Sequence, residues 1–334
     1  MGIKGEFKRT AGVHRNVVCA DWDYPPAAGR YHLYVALACP WADGCLTSLY
    51  FKGLEDAIGV SIVHPTWCAT RPGVDEHCGW QFKSPGDAAV ANPAGHGANE
   101  CDDALVPDTV NGCATVRELY ELAKDTGGKY STPVLWDKET STIVSNESLD
   151  ILRSFDSAFD EFAKCPDARL FPSDEALAKE LDELNETLVY PKVNNGVYRC
   201  GFARTQEAYD AAVGELFGAL DALEQRLATR RYLGGDNFSW LDMRLFHTLV
   251  RFDPVYITYF KTNVRRLVDY PALLGYTREL YQMPALRRAI NMRHIKMHYF
   301  TSHPVLNTFG IVPAYDGPDL DAPHGREGVG GGGQ

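Results

Sequence analysis

An apolar segment at residues 31–38 ends at a cysteine that is followed at once by a proline, Cys39-Pro40. Residues 42–54 are predicted to form a helix, and proline is favoured at the first position of a helix. Cys39 would then lie at the helix N-terminus, where unpaired backbone N–H groups and the helix dipole stabilise an anion. The thiolate is the reactive form of cysteine. The pattern therefore predicts a nucleophilic thiol rather than an inert buried one.

The order of the predicted elements around Cys39 favours a thioredoxin-like domain. A strand, a helix and a second apolar strand in succession favour a parallel pair joined by the helix. After the second strand, 58–64, the predicted elements are a helix at 113–125, a hairpin at 133–136 and 142–145, and a closing helix at 147–155. In this fold a cysteine at the first strand–helix turn is the active site.

Length and periodicity predict two domains. The chain has 334 residues, more than one domain usually contains. Beyond about residue 165 the pattern is helical throughout, with one apolar stripe from Tyr209 to Leu227 at alternating spacings of four and three residues. The predicted limits are an N-terminal arm at 1–30, a thioredoxin-like domain at 31–160 with a surface insertion at 68–111, an all-α domain at 170–313 and a flexible tail at 314–334.

Charge and cysteine content narrow the possible partners and sites. The net charge of −11 argues against nucleic acid or an anionic membrane as the main partner, and no apolar run is long enough to span a bilayer. The nine cysteines are odd in number and include no C-x-x-C pair, so neither a disulfide framework nor a metal site is predicted. Without a signal-peptide core at the start, they predict a cytoplasmic protein. Cys45 is too far along the helix to act as an adjacent resolving thiol, so Cys39 would need an external thiol.

Two further segments would converge on Cys39 in a thioredoxin-like domain. A cis peptide bond at Thr132-Pro133 would leave the Thr132 backbone groups able to pair with an extended peptide. Glu147 and Ser148 stand at a predicted helix start, which can hold a carboxylate, and Glu147 could meet an α-amino group. Taken alone, this pair is also explained by ordinary first-turn helix chemistry. Together, the three segments suit a small peptide with a central thiol and an ammonium–carboxylate end, a description that fits glutathione.

Four sequence blocks spread along the chain carry a family resemblance. They begin at Cys39 with Cys-Pro-Trp-Ala, at Ser145 with Ser-Asn-Glu-Ser, at Asn194 with Asn-Asn-Gly-Val-Tyr-Arg-Cys-Gly, and at Ile295 with Ile-Lys-Met-His-Tyr-Phe-Thr-Ser-His-Pro. From about residue 25 to 313 the chain resembles the glutathionyl-hydroquinone reductases, also called xi-class glutathione transferases. The resemblance implies the glutathione-transferase architecture, an α/β thioredoxin-like N-terminal domain followed by an all-α C-terminal domain. It also implies a homodimer.

The same resemblance implies the reduction of glutathionyl-hydroquinones with glutathione as co-substrate and no metal. Cys39 would form a mixed disulfide with glutathione, and a second glutathione would release it as oxidised glutathione. The implied glutathione-site residues are Trp67, Lys129, Thr132, Pro133, Glu147 and Ser148, and the implied hydroquinone-site residues, acting with Cys39, are Tyr198 and Tyr299. Either tyrosine could instead be an ordinary core or interface residue.

Three positions depart from the pattern of the family that the chain resembles. Asp43-Gly44 stands where the family usually has His-Arg, and a carboxylate near Cys39 would disfavour the thiolate if it faces the site. Aspartate is also ordinary in the first turn of a helix. Lys129 replaces a usual arginine and loses its bidentate geometry. These departures predict weaker glutathione binding or a thiol that ionises less readily, without loss of function.

Two other functions remain open from the sequence. An omega-like thioltransferase or dehydroascorbate reductase would use Cys39 but would not depend on Tyr198 and Tyr299. A non-catalytic protein that binds ligands or partners with the same fold is the second alternative. Asp43-Gly44 makes this second alternative less remote than it usually is.

Overall fold

The computed structural model describes residues 3–330. The strands are β1 (Tyr31–Val35), β2 (Gly59–Ile62), β3 (Cys68–Ala69), β4 (Cys78–Gly79), β5 (Val90–Ala91), β6 (Ala98–Asn99), β7 (Val134–Asp137) and β8 (Thr142–Ser145). The α-helices are α1 (Pro40–Lys52), α2 (Val116–Leu122), α3 (Ser148–Ser157), α4 (Glu175–Leu184), α5 (Gly196–Gly201), α6 (Gln206–Leu227), α7 (Trp240–Leu249), α8 (Ile257–Tyr259), α9 (Pro271–Tyr281), α10 (Pro284–Ala289) and α11 (Met292–Thr301). Asn185–Asn194 and Phe252–Tyr256 are π-helical, and Asp160–Phe162 and Leu267–Asp269 are 3₁₀ turns.

The chain divides into two compact units. The thioredoxin-like unit consists of Ala11–Ala168 and Arg288–Pro313. The helical unit consists of Arg169–Arg287 with the two chain ends, Met1–Thr10 and Ala314–Gln334, as far as these are described. The division differs from the predicted limits at both ends of the chain. The predicted arm is shared between the units, and α11 belongs to the thioredoxin-like unit, because its side chains bond to the segment after β2.

The thioredoxin-like unit is built on a four-stranded mixed sheet in the order β2-β1-β7-β8. β1 pairs in parallel with β2 and antiparallel with β7, and β7 and β8 form an antiparallel hairpin. Every residue of β1 is buried, as expected for a central strand covered on both faces. The predicted strand–helix–strand unit and the predicted hairpin are both confirmed.

The segment predicted as a surface insertion, 68–111, contributes to the core. It forms two short hairpins, β3–β4 and β5–β6. Between them, Trp80 and Phe82 are buried among the same apolar side chains as Tyr34 and Trp136. The surface interpretation is therefore wrong for the middle of the segment. The segment has no hydrophobic periodicity, which led to the surface prediction. It nevertheless reaches the core, because single aromatic side chains enter it without forming one face of a helix or strand.

The helical unit confirms the apolar stripe predicted from the sequence. The stripe on α6 faces the core, where Leu216, Leu220, Leu223 and Leu227 are buried. Ser239 and Asp242 form a capping box at the start of α7, with the Asp242 carboxylate accepting bonds from the Ser239 N–H and hydroxyl groups at 3.0 and 2.6 Å. Within residues 3–330 no helix is both long and apolar enough to cross a membrane.

The end of the chain is packed rather than flexible over residues 314–330, contrary to the prediction. Arg326 is buried and forms an ion pair with Glu279 at 3.1 Å. Its guanidinium group also donates to the carbonyl oxygens of Leu227 at 2.9 Å and Arg231 at 2.8 Å. One arginine thus anchors a segment whose composition alone suggests a loose tail. The rest of the predicted tail, 331–334, lies outside the described residues.

Candidate active site

The turn between β1 and α1 places Cys39 at the mouth of a helix. Cys39 is the N-cap residue of α1, and Pro40 is its first helical residue. The Cys39 carbonyl oxygen accepts the first helical bond, from the Asp43 N–H at 2.9 Å. The Cys39 side chain is half-buried rather than sealed in the core. The position is the one predicted, although α1 begins at Pro40 rather than at Ala42.

The segment before β7 meets Cys39. The Thr132–Pro133 peptide bond is cis, as predicted. The Cys39 thiol donates to the carbonyl oxygen of Thr132, with 3.5 Å between sulfur and oxygen. The Thr132 hydroxyl is buried and has no hydrogen-bond partner within residues 3–330. A polar group in this state is costly to bury, so it suits contact with a bound ligand.

The start of α3 supplies the second predicted segment. Glu147 is the N-cap residue of α3 and Ser148 its first residue. The Glu147 N–H donates to the Ser145 hydroxyl at 3.1 Å. The Cys45 thiol, on α1, donates to the Ser148 carbonyl oxygen at 3.7 Å, so the helix that begins at Cys39 is tied to the first turn of α3. The N-terminus of α3 can therefore receive an anionic group beside the start of α1.

A residue that sequence reasoning missed forms an ion pair at this helix start. Arg15 forms an ion pair with Asp150 in the first turn of α3, and one of its two nitrogen–oxygen contacts is 3.1 Å long. The hydrogen bond with Asp150 raises the pKa of the Arg15 guanidinium group, against the effect of burial. No motif marks Arg15, because its partner lies more than a hundred residues away.

Trp67 lies in a cluster of aromatic and histidine rings. Its ring meets Trp80, His298 and His303 edge-on, with centroids 5.7, 5.3 and 4.7 Å away. The Trp67 backbone N–H donates to the hydroxyl of Ser302 at 3.1 Å. The indole nitrogen is buried and donates to no residue that the structure describes. Trp67 therefore holds an N–H group that is fixed in place and whose hydrogen-bonding capacity no described residue satisfies.

Two further predicted site residues, Tyr299 and Lys129, belong to the thioredoxin-like unit. Tyr299, on α11, is buried, and its ring lies 5.4 Å from that of His298. Burial lowers the pKa of His303 to about 4, against the effect of a hydrogen bond with the Tyr299 backbone, so His303 is neutral at neutral pH. Lys129 is exposed in the loop that leads to Thr132.

Tyr198 belongs to the helical unit, where it lies in a different aromatic cluster. Its ring lies 5.2 Å from that of Phe260 and stacks on that of Phe202, at 6.5 Å and 7° between planes. The guanidinium carbon of Arg9 lies 4.6 Å from the centre of the Tyr198 ring, a cation–π contact. Arg9 also donates to the side chain of Asn195 at 3.2 Å. The sequence singled out Tyr198 but not Arg9.

The part of the chain that the structure describes contains no group of three or more His, Cys, Asp or Glu side chains arranged to hold a metal ion. What the thioredoxin-like unit does assemble is a half-buried thiol, a buried hydroxyl without a partner, an indole N–H and a helix N-terminus. These groups can bind a small peptide and react with its sulfur.

Comparison with known proteins agrees with this arrangement. The family model described as glutathione S-transferase, C-terminal domain, matches residues 206–279. The chain is 42% identical over 333 residues to the glutathionyl-hydroquinone reductase YqjG of Escherichia coli strain K12, covering 97% of this chain and 93% of that protein.

Solved structures extend the similarity to the fold. The xi glutathione S-transferase of Phanerochaete chrysosporium superposes with a TM-score of 0.83 at 42% identity, over 95% of this chain and 99% of that one. The glutathione-bound structure of YqjG from Escherichia coli superposes with a TM-score of 0.81 at 41% identity, over 94% and 96% of the two chains. The chain therefore belongs to the family of the glutathionyl-hydroquinone reductases, the xi-class glutathione transferases.

Proposed function

We propose that the protein is an enzyme that reduces glutathionyl-hydroquinones to hydroquinones, with glutathione as co-substrate. The observation that carries the proposal is the position of the Cys39 thiol, at the mouth of α1 and 3.5 Å from the Thr132 carbonyl oxygen. The proposal is supported by the 42% identity to YqjG, which is named a glutathionyl-hydroquinone reductase.

The chemistry has two steps. In the first, the Cys39 thiolate attacks the sulfur of the glutathionyl group. A disulfide bond forms, the bond between that sulfur and the aromatic carbon breaks, and the carbon takes a proton to give the hydroquinone. In the second, the thiolate of a free glutathione attacks the mixed disulfide, giving oxidised glutathione and restoring Cys39. The glutathionyl sulfur of the substrate and the thiol sulfur of the free glutathione together lose two electrons as they join in a disulfide, and these electrons reduce the aromatic carbon.

The glutathionyl group would be held by groups that surround Cys39. The Thr132 backbone, before Pro133, would pair with the extended peptide. The buried Thr132 hydroxyl and the Trp67 indole N–H, neither with a partner within residues 3–330, would bond to its polar atoms. Ser148 at the start of α3 would bind a carboxylate and Glu147 the ammonium group.

The remaining predicted residues would contact a carboxylate of glutathione and the hydroquinone ring. Lys129, exposed in the loop before Thr132, would attract a glutathione carboxylate. Tyr198 and Tyr299 would bond to the hydroquinone oxygens or donate the proton that the leaving carbon takes. A tyrosine hydroxyl can serve either purpose, because it both donates and accepts.

Replacement of the thiol tests the proposal. In an assay with a glutathionyl-menadiol conjugate and free glutathione, Cys39→Ala should reduce turnover to the rate without enzyme. The matched control is Cys165→Ala, which removes an exposed thiol in the same unit and should leave turnover unchanged. Turnover by Cys39→Ala at the rate of the unmodified chain would refute the proposal.

We further propose that the protein acts in the cytoplasm and as a homodimer. All nine cysteines lie within the described residues and none of them forms a disulfide bond, which suits a reducing compartment. The homodimer rests on the family to which the chain belongs. Light scattering at micromolar concentration should give twice the mass of one chain, and a single-chain mass would rule out the dimer.

A further inference from the structure

The segment that carries Trp67 is fastened to the end of α11 by side-chain bonds. The Nδ1 atom of His298 lies 2.9 Å from the carbonyl oxygen of Pro65. The Ser302 hydroxyl donates to the same oxygen at 3.2 Å and accepts the Trp67 backbone N–H at 3.1 Å. The Pro65 carbonyl and the Trp67 N–H, on either side of Thr66, are thus bonded to residues that lie one helical turn apart.

A second bond fixes the residue between Pro65 and Trp67. The hydroxyl groups of Thr66 and Thr301 lie 2.9 Å apart, and Thr301 donates its own hydrogen to the carbonyl oxygen of Met297 at 2.7 Å. The Thr66 hydroxyl must therefore donate to Thr301, and it accepts a bond from the Asn99 side chain at 3.0 Å. The backbone before Trp67 consequently has little freedom to move.

The bond from His298 defines the state of its ring. A carbonyl oxygen only accepts, so Nδ1 of His298 carries the hydrogen. Held in this way, the ring lies 4.4 Å from that of Trp80, at 31° between planes, and 5.3 Å from that of Trp67 at 61°. His303 closes a further side of Trp67 at 4.7 Å and 70°. The rings of His298 and His303 therefore limit rotation of the Trp67 indole, while its N–H remains without a partner among the described residues.

We propose that His298 is a positioning residue that, with Ser302 and His303, fixes the Trp67 indole in the orientation that binds glutathione. This inference rests on the proposed function, in which the Trp67 N–H bonds to glutathione. His298 acts through Trp67 and takes no part in the transfer of the glutathionyl group. Its loss should therefore weaken glutathione binding and leave the chemistry of bound substrate almost intact.

Titration calorimetry with glutathione and steady-state kinetics test the inference. His298→Phe keeps a ring but loses the bond to Pro65, and should raise the dissociation constant for glutathione by about fivefold, as loss of one hydrogen bond does. His298→Asn restores an N–H near the position of Nδ1, and its affinity should lie closer to that of the unmodified chain. For both variants kcat with the glutathionyl-menadiol conjugate should change far less than KM.

A double-mutant cycle separates this inference from the proposed function. Trp67→Phe removes the indole N–H and should weaken glutathione binding by about fivefold, and the Trp67→Phe, His298→Phe pair should be no weaker than either single variant. If the two substitutions instead raise the dissociation constant by factors that multiply in the double variant, His298 does not act through Trp67 and the positioning role is overturned. Unchanged binding by Trp67→Phe would instead overturn the role of Trp67 in the proposed site.

Controls keep a folding defect apart from a positioning defect. His96→Phe replaces an exposed histidine of the same unit and should leave glutathione affinity unchanged. If thermal unfolding shows that His298→Phe does not fold, Ser302→Ala can replace it in the binding test. This variant removes the acceptor of the Trp67 backbone N–H and should also weaken glutathione binding. Normal glutathione affinity in a folded Ser302→Ala variant, or in a folded His298→Phe variant, would contradict the inference.

Discussion

The thiol of Cys39 lies 3.5 Å from the carbonyl oxygen of Thr132, although 93 positions separate the two residues in the chain. The sequence marks each of them independently, Cys39 by its place before a helix and Thr132 by the proline that follows it. Their contact joins the predicted nucleophile to the backbone that would hold an extended peptide. A peptide bound along Thr132 would thereby present its central sulfur to Cys39.

Replacing the two tyrosines predicted to line the hydroquinone site would distinguish a glutathionyl-hydroquinone reductase from an omega-like thioltransferase. Tyr198→Phe and Tyr299→Phe should each lower kcat/KM for glutathionyl-menadiol by about 10- to 100-fold, while reduction of hydroxyethyl disulfide changes by about twofold or less. The reason is that only the aromatic substrate has oxygens and a leaving carbon for the phenol to meet. An equal loss on both substrates would favour the thioltransferase, and no loss on either would remove the two tyrosines from the site.

Asp43 should restrain the reactivity of Cys39. It is buried in the first turn of α1, four residues after Cys39. Asp43→Asn removes a negative charge near the thiolate and should raise the rate of Cys39 alkylation by iodoacetamide at neutral pH by roughly threefold. Mass spectrometry of the peptide that contains Cys39 measures this rate separately from the other thiols. Asp21→Asn, at an exposed position of the same unit, is the control, and a rate equal to that of the control would contradict the prediction.

Stability should fall in mild acid because of His32. Burial lowers the pKa of His32 to about 4, against the effect of the Asp108 charge. The unfolded chain, with a histidine pKa near 6.5, binds more protons than the folded chain between these values. The contribution of His32 is therefore complete above about pH 6.5 and is lost as the pH falls toward about 4.

Replacement of His32 isolates this effect from other titrating groups. The Nε2 atom of His32 lies 2.8 Å from the Ser61 hydroxyl, and glutamine can keep a donor there. The free energy of unfolding, measured with urea, should fall as the pH is lowered from neutral to about 4.5. This fall should be about 2 kcal/mol smaller for His32→Gln than for the unmodified chain. The same loss in both chains would show that His32 is not a buried neutral histidine. His96→Gln, at an exposed histidine, should change nothing.

A glycine at the end of α5 permits the ring packing beside Tyr198. A Cβ atom on Gly201 would overlap with the ring of Phe260, which contacts Tyr198. Gly201→Ala should lower the free energy of unfolding by about 2 kcal/mol or more, because the rings must shift. Gly214→Ala is the matched control, since a Cβ atom there meets nothing within 4 Å on the exposed face of α6. It should raise stability by about 0.5–1 kcal/mol. Urea unfolding measures the stability of both variants. Equal changes in the free energy of unfolding for Gly201→Ala and Gly214→Ala would contradict the prediction.

The parts of the fold that follow local rules were predictable from the sequence. Proline at the first position of α1 marks the place of Cys39, and the apolar strands on either side of the helix mark the parallel pair. The Ser239–Asp242 capping box marks the start of α7. Each of these signals lies within a few residues of the feature that it produces.

The parts that depend on single long-range contacts were not predictable. Trp80 enters the core from a segment without periodicity, and Arg326 anchors a segment of tail-like composition. His298 stands in a block that carries the family resemblance, yet its bond is to Pro65, 233 positions away. Because one hydrogen bond or one ring is enough to fix such a segment, no repeating pattern records it.

Capture of the mixed disulfide tests the central claim most directly. One equivalent of glutathionyl-menadiol is mixed with the reduced protein without free glutathione, and the protein is digested and examined by mass spectrometry. The account predicts one glutathionyl group on the peptide that contains Cys39, the release of one equivalent of menadiol, and loss of the adduct when glutathione is added. Release of menadiol with no adduct on Cys39, or with the adduct on another cysteine, would contradict it.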